Sequence, residues 1–162
     1  MEKEYEYSVK VEDIEPFINY CKENNYELIN KTAQKRVLYR NNNKILARVT
    51  TIKEGESKNI FLDFKDENES DDILKISRES GKINVTDNMD FVNAVFSMLE
   101  FDFYKELDRV RYIYVKNNVT FEIDEYIKPD MKVVGIEGNK EEKCFIICIS
   151  DARWLPLQAH MC

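Results

Sequence analysis

The sequence predicts a mainly β protein of the α+β class, a closed eight-stranded antiparallel β-barrel (a tunnel) with flanking helices. Short stretches alternate between polar and apolar residues, which is typical of strands with one buried face. Turn-length segments separate them, which favours antiparallel neighbours. Two further stretches carry apolar residues at helical spacing. An open sheet of eight strands must curl or close to hide its edges, and a barrel of eight strands has room inside for side chains or one small ligand.

The first predicted strand, residues 3–11, alternates without a break. Tyrosine and valine lie on one face, and Glu4, Glu6, Ser8 and Lys10 lie on the other. Acids and a proline then predict a helix start, followed by an apolar stripe on a helix that ends near residue 25; the stripe comprises Ile14, Phe17, Ile18 and Cys21. The remaining strands are predicted over residues 33–40, 44–51, 60–65, 73–80, 108–116, 119–126 and 132–138.

A second helix is predicted after Asp87, which we expect to be its N-cap, with Asp90 as the acidic partner of a capping box. We expect its apolar stripe to pack on the core; the stripe comprises Phe91, Val92, Val95, Met98 and Leu99. Asn117 and Asn118 predict a tight turn between the strands on either side of them.

Composition excludes several functions. The chain has 162 residues and a net charge of −7, which predicts one domain and argues against general nucleic-acid binding. The four cysteines lack CxxC spacing, so no zinc site is indicated, and reduced thiols in the cytoplasm are expected. No apolar run is long enough to cross a bilayer. The one histidine, His160, argues against a histidine-based catalytic triad, and pairing it with Cys162 does not make a metal site.

Charged residues share one face of nearly every predicted strand. The acids on these faces are Glu4, Glu6, Glu122, Asp124 and Glu137, and the bases are Lys10, Arg48, Lys65, Arg78, Arg109 and Arg111. If the apolar faces point outward under the helices, these charges line a lumen. If the apolar faces point inward, the charges are ordinary surface around an apolar cavity, as in a lipocalin-like barrel.

Motif order favours the charged lumen. Seven short motifs follow one another along the chain: Glu4-x-Glu6, Leu46-Ala47-Arg48-Val49-Thr50, Leu62-Asp63-Phe64-Lys65, Arg78-Glu79, Arg109-Val110-Arg111-Tyr112, Phe121-Glu122-Ile123-Asp124 and Gly135-Ile136-Glu137. This series resembles the CYTH, or triphosphate tunnel metalloenzyme, family over residues 4–140. The resemblance implies a tunnel domain over residues 1–143, and residues 144–162 form a C-terminal segment that matches no motif of the family.

The resemblance also implies a chemistry. Cations from several strands would bind a triphosphate; they are Lys10, Arg48, Lys65, Arg78, Arg109 and Arg111. Carboxylates would hold Mg²⁺ or Mn²⁺, which prefer oxygen ligands; they are Glu4, Glu6, Glu122, Asp124 and Glu137. Lys10 and Glu6 are the expected catalytic residues. One metal ion would neutralise phosphate oxygens, and a second would activate a water for in-line attack.

Several positions depart from the family pattern. Ser8 stands at the usual lysine position, and Lys10 lies two residues further along the same face, about 7 Å away. Thr50 replaces an arginine, and Arg36 replaces an acid often found in the second strand. Gly135 replaces the first acid of the last motif, a loss for which Glu122 is the suggested replacement.

The resulting expectation is a divalent-metal-dependent phosphohydrolase that acts on an inorganic or organic triphosphate. Two alternatives remain: an adenylyl cyclase that makes cyclic AMP from ATP, and a non-catalytic module that binds polyphosphate-like anions. The expected partner is a small-molecule triphosphate (tripolyphosphate, thiamine triphosphate or a nucleotide), with a homodimer as a further option and no nucleic acid or membrane.

Overall fold

The computed structural model describes residues 2–54, 56–66 and 74–138, and it confirms a mainly β chain with two helices. The elements in chain order are β1 (Glu2–Val11), α1 (Glu15–Glu23), β2 (Glu27–Arg40), β3 (Ile45–Glu54), β4 (Ser57–Asp66), β5 (Leu74–Glu79), β6 (Ile83–Asn84), α2 (Met89–Met98), β7 (Asp102–Lys116), β8 (Val119–Lys128) and β9 (Met131–Gly138).

The strands form one antiparallel sheet that returns on itself. Their order is β3-β2-β7-β8-β9-β1-β5-β4-β6, and β3 also pairs with β4 along its whole length. Each of the eight longer strands therefore has a neighbour on both sides, which confirms the predicted eight-stranded barrel. The pairing between β4 and β5 is the shortest in this ring, with Lys65 opposite Glu79 and Asp66 opposite Arg78.

Strands β2 and β7 begin earlier than the sequence predicted, at Glu27 and Asp102. The added residues of each strand pair with the other strand, but their side chains are almost all exposed. Because neither face of these extensions is buried, their sequences carry no alternation of polar and apolar residues. The turn at Asn117 and Asn118 is confirmed, and both residues have positive φ (49° and 63°), as a tight hairpin turn requires.

Helix α1 covers the outer face of β8 and β9. The predicted stripe is confirmed, because all four of its residues are buried against apolar side chains of the sheet. These outward-facing partners are Tyr114, Val119, Phe121, Ile123, Val134 and Ile136. The apolar faces of these strands therefore lie beneath a helix, and the opposite faces are left to line the inside of the barrel.

Helix α2 covers the outer face of β3 and β4, but with a narrower stripe than predicted. Val92 and Phe96 are buried against apolar residues of these strands. Phe91, Met98 and Leu99 are exposed, Met98 to 82% of its surface, so the prediction that they pack on the core is wrong. The helix has only ten residues and presents a single i, i+4 pair to the barrel.

The predicted cap of α2 is also wrong. Asn88, not Asp87, is the N-cap residue, and no side-chain hydrogen bond caps the helix. The backbone N–H of Asn88 donates to the carbonyl of Val85 (2.9 Å), so residues 85–88 form a turn that delays the helix start to Met89.

Some predictions lie outside the described residues: the boundary after residue 143, the segment 144–162 with its cysteines and His160, and most of the acidic loop over residues 66–72. Cys21, the one cysteine in the described part, is a buried free thiol. No helix within the described ranges is both long and apolar enough to traverse a membrane.

Candidate functional site in the barrel interior

Two arginines of β7 share one carboxylate inside the barrel. Arg109 and Asp124 are 2% and 4% exposed, and Nη1 of Arg109 donates to Oδ2 of Asp124 at 2.7 Å. Nε and Nη2 of Arg111 also donate to Asp124, each at 2.7 Å, and Arg111 forms a further ion pair with Glu122. Burial alone would raise the pKa of Asp124, but the hydrogen bonds and charges of the arginines lower it. Asp124 is therefore an anion held between two guanidinium groups.

A second ionic network joins β3, β4 and β5. Arg48 donates through Nε to Asp63 (2.6 Å) and through Nη1 to Glu79 (3.0 Å). Nζ of Lys65 lies 2.9 Å from Oε1 of Glu79 and 3.9 Å from Oε2 of Glu6. Burial would raise the pKa of Glu79, but Arg48, and then Lys65, hold it at about 2.

These contacts establish which way the sheet faces. Arg48 on β3 reaches Glu79 on β5 across β4, and Lys65 on β4 approaches Glu6 on β1 across β5. Side chains of strands that are not neighbours meet on the concave side of a curved sheet. The charged faces therefore line the lumen, and the alternative of an apolar cavity with an ionic exterior is wrong.

An acidic wall lies on β1 and β9. Glu6 and Glu137 are direct cross-strand partners, for which Cβ atoms lie about 4.5–5.5 Å apart. A Cβ atom built on Gly135 would come within 3.4 Å of Oε1 of Glu6 and 3.8 Å of Cβ of Glu122. Gly135 thus lies where side chains from both neighbouring strands approach the β9 backbone.

Arg36 of β2 forms no ion pair with a carboxylate of the described part. Its Nε donates to Oγ1 of Thr50 on β3 at 3.1 Å. Burial, reinforced by the positive charges of Arg109, Arg111 and Arg48, lowers the pKa of Arg36 to about 9.

One part of the interior is apolar. Leu38, Leu46 and Leu107 are buried together, and Tyr126 packs against them. Leu38 pairs with Arg48, and Leu107 pairs with Arg36, so this apolar cluster directly borders the cations.

Most of the predicted site residues come together. Eight of them lie on the interior face: Glu6, Arg48, Lys65, Arg109, Arg111, Glu122, Asp124 and Glu137. The side chain of Lys10 is exposed and takes no part in the ion pairs of the barrel interior given above. Its catalytic role therefore stays a prediction. The side chains of Glu4 and Arg78 lie outside the described part; in register, Glu4 pairs with Ser77, and Arg78 pairs with Lys3 and Asp66.

The sequence did not single out Asp63, Glu79, Thr50 or Arg36 as site residues. A signal was present for Asp63, because it alternates with Lys65 on one strand face. For Glu79 the only signal was its place in the Arg78-Glu79 motif, because its contact with Arg48 crosses an intervening strand, which alternation does not show.

The predicted metal ligands are only partly gathered. Within the described side chains, no group of three or more His, Cys, Asp or Glu residues is arranged to hold a metal ion. Glu122 and Asp124 are engaged by arginines. Glu6 lies 3.9 Å from Nζ of Lys65 and is the cross-strand partner of Glu137. Two carboxylates fit Mg²⁺, because this ion commonly binds through one or two carboxylates together with water and substrate phosphates.

The ring of strands has a CYTH-like barrel fold, and comparison with solved structures supports this fold. No family model and no curated protein sequence matches the chain. The PH1012 protein from Pyrococcus horikoshii OT3 is similar, with a TM-score of 0.75 and 22% identity over 96% of this chain and 91% of that chain.

Two more distant structures share the fold. A chain of the Schizosaccharomyces pombe Mediator head module has a TM-score of 0.66 and 12% identity, over 93% of this chain and 95% of that chain. HpAC1 from Hippeastrum, an adenylyl cyclase-type protein whose structure is described as revealing a dominant triphosphatase activity, has a TM-score of 0.63 and 12% identity, over 93% and 86%. The CYTH-like fold predicted from the sequence is confirmed.

Proposed function

We propose that the protein removes the terminal phosphate of an inorganic or organic triphosphate bound in the barrel, with Mg²⁺ or Mn²⁺ as cofactor. The observation that carries this proposal is the convergence of Arg36, Arg48, Arg109 and Arg111, from β2, β3 and β7, on one interior. Guanidinium groups offer planar, paired donors that match phosphate oxygens. The HpAC1 fold neighbour, described with a triphosphatase activity, supports the same class of reaction.

The acidic wall supplies the other half of the chemistry. In the strand ring, β1 lies directly opposite β2, with three strands between them on either side. Glu6 and Glu137 would therefore hold a metal ion on the wall facing Arg36. When bound, such an ion supplies charge neutralisation for phosphate oxygens and lowers the pKa of a bound water. Arg109 and Arg111, fixed by Asp124, would orient the phosphate chain without moving during the reaction.

A non-catalytic anion-binding module is the second candidate. Ser8 occupies the position of the family's lysine, and Lys10 is exposed, so the lumen lacks an evident replacement among the described residues. The likeness to a chain of the Mediator head module, a multiprotein assembly, supports keeping this candidate. No specific observation of the structure favours the adenylyl cyclase alternative.

The test is a phosphate-release screen over tripolyphosphate, thiamine triphosphate and nucleotides with Mg²⁺ and Mn²⁺, with cyclic AMP measured alongside. We expect phosphate release by the wild type and a loss of more than about tenfold in Glu6→Gln. Glu106→Gln is the matched control, because Glu106 is exposed and pairs with Lys35 on the surface. Release of no phosphate from any substrate would reject the hydrolase proposal, and cyclic AMP as the main product from ATP would favour the cyclase.

A further inference from the structure

Arg36 is placed to meet a ligand. In register it pairs with Thr50 on β3 and Leu107 on β7, and both of these are buried on the inner face. The hydrogen bond from its Nε to the Thr50 hydroxyl fixes the plane of the guanidinium group. The two terminal nitrogens, Nη1 and Nη2, are left for other partners.

Arg36 forms no ion pair with an acid of the described part. Asp63 and Asp124 attract it electrostatically, but Asp63 is held by Arg48 at 2.6 Å and Asp124 by Arg109 at 2.7 Å. Arg109 and Arg111 add further positive charge beside Arg36, while their own carboxylate partners are Asp124 and Glu122. Asp63, Asp124 and Glu122 are thus each paired with another arginine, and Arg36 has no ion-pair partner of its own among the described residues.

The terminal nitrogens of Arg36 remain accessible. No nitrogen of Arg36 is both fully buried and without a hydrogen-bond partner. Since Nη1 and Nη2 of Arg36 form no side-chain hydrogen bond in the described part, they must keep some contact with the lumen. An accessible paired donor that lacks a counter-ion is suited to a phosphate group.

We propose that Arg36 anchors one phosphate group of the bound anion, and that this contact needs no metal ion. The identity of the anion rests on the proposed function, whereas the contact itself rests on the position of Arg36. The anion would supply the ion-pair partner that Arg36 lacks among the described residues, and a metal ion held by Glu6 and Glu137 would supply its charge to the other side of the anion. Arg36 is thus a positioning residue that this chain has where the resembling family often has an acid.

A cost in stability follows from this placement. An enclosed cation without a counter-ion destabilises the unliganded protein, and this cost disappears when an anion binds. Removal of the charge should therefore weaken anion binding without lowering the stability of the free protein. A purely structural arginine would behave in the opposite way.

The experiment is calorimetric titration of sodium tripolyphosphate in EDTA, with thermal unfolding of each unliganded protein. Arg36→Gln removes the charge of Arg36. Lys35→Gln is the control, because Lys35 immediately precedes Arg36 on β2 but is exposed and pairs with Glu106 at 2.9 Å. We expect Arg36→Gln to weaken binding by about tenfold to hundredfold, with a melting temperature equal to or above that of the wild type. Lys35→Gln should bind like the wild type.

Three results would overturn the proposal: binding by Arg36→Gln within about twofold of the wild type, no binding by the wild type in EDTA, or an Arg36→Gln protein that is less stable or does not fold. Arg36→Lys provides a second check, because a retained charge without the planar fork should give intermediate affinity.

The outcomes also separate this proposal from the proposed function. Turnover by the wild type with unchanged binding by Arg36→Gln rejects the anchor alone. Binding in EDTA that depends on Arg36, with no phosphate released in the presence of either metal, upholds the anchor and rejects the hydrolase.

Discussion

Asp124 provides the most decisive test of how charge is arranged inside the barrel. The sequence suggested that it is a metal ligand, whereas the structure shows it accepting hydrogen bonds from Arg109 and Arg111. The change Asp124→Asn preserves its shape but removes its charge, and turns one acceptor into a donor that faces guanidinium groups. The two interpretations predict opposite effects on the metal-free protein.

The expected loss can be estimated from the contacts. Removing one partner of a buried ion pair costs about 3–5 kcal/mol, and Asp124 is only 4% exposed. Arg111 keeps Glu122 and Arg109 keeps the Oε1 atom of Gln34 (3.0 Å), so we expect the lower end, about 3 kcal/mol. If Asp124 served only as a metal ligand, its neutralisation in metal-free protein would relieve repulsion with other acids and leave stability unchanged or higher.

The assay is equilibrium unfolding in urea with EDTA present. The control is Glu125→Gln, because Glu125 is the next residue of β8, on the same outward face as Ile123, and should change stability by less than about 0.5 kcal/mol. A free energy of unfolding for Asp124→Asn equal to that of Glu125→Gln would refute the counter-ion role.

Three further predictions concern other parts of the chain. The pKa of Glu79 is about 2 in the folded protein against an ordinary 4.5, so the ionised carboxylate contributes about 3 kcal/mol to the free energy of unfolding. This contribution is present above pH 4.5 and is lost as the pH falls towards 2. Glu79→Gln should therefore flatten the acid limb of the stability–pH curve. Burial raises the pKa of Cys21 to about 12, so a thiol reagent at pH 8 should modify it only after unfolding. Phe96→Ala should cost about 3–5 kcal/mol in urea unfolding, because Phe96 fixes α2 to the barrel, whereas exposed Met98→Ala should cost less than about 0.5 kcal/mol.

Each of these has a contrary result. An unchanged acid limb in Glu79→Gln would show that Arg48 and Lys65 do not stabilise the carboxylate. Reaction of native Cys21 at the rate of a free thiol would show that α1 does not shield it. Equal losses for Phe96→Ala and Met98→Ala would mean that α2 packs through a different face.

Alternation along the strands predicted the sheet, and the order of the motifs predicted which side of it faces the lumen. Each strand alone was ambiguous, because a solvated outer face and a charged inner face have the same pattern, as in Glu4-x-Glu6. The order of motifs resolved this ambiguity, and the cross-ring contacts of Arg48 and Lys65 confirmed it.

The partners of the charges could not be predicted in this way. Strand alternation places Asp124 on the inner face but does not show whether it meets a metal ion or Arg109, because that depends on strand order around the ring. Glu79 illustrates the same limit, since it meets Arg48 across an intervening strand. The prediction that the whole apolar stripe of α2 is buried was wrong for a related reason. The number of helix positions that reach the barrel depends on how the helix packs on it, as the exposed side chain of Phe91 shows.

Crystals grown with tripolyphosphate and Mn²⁺ offer the most direct measurement of the central claim, that the inward-facing charges bind a triphosphate. The anomalous signal and the difference density should place the anion in the lumen at Arg36 and the metal ion beside Glu6 and Glu137. An anion found only on the outer surface, with the ion pairs of Arg48, Arg109 and Arg111 undisturbed, would contradict it.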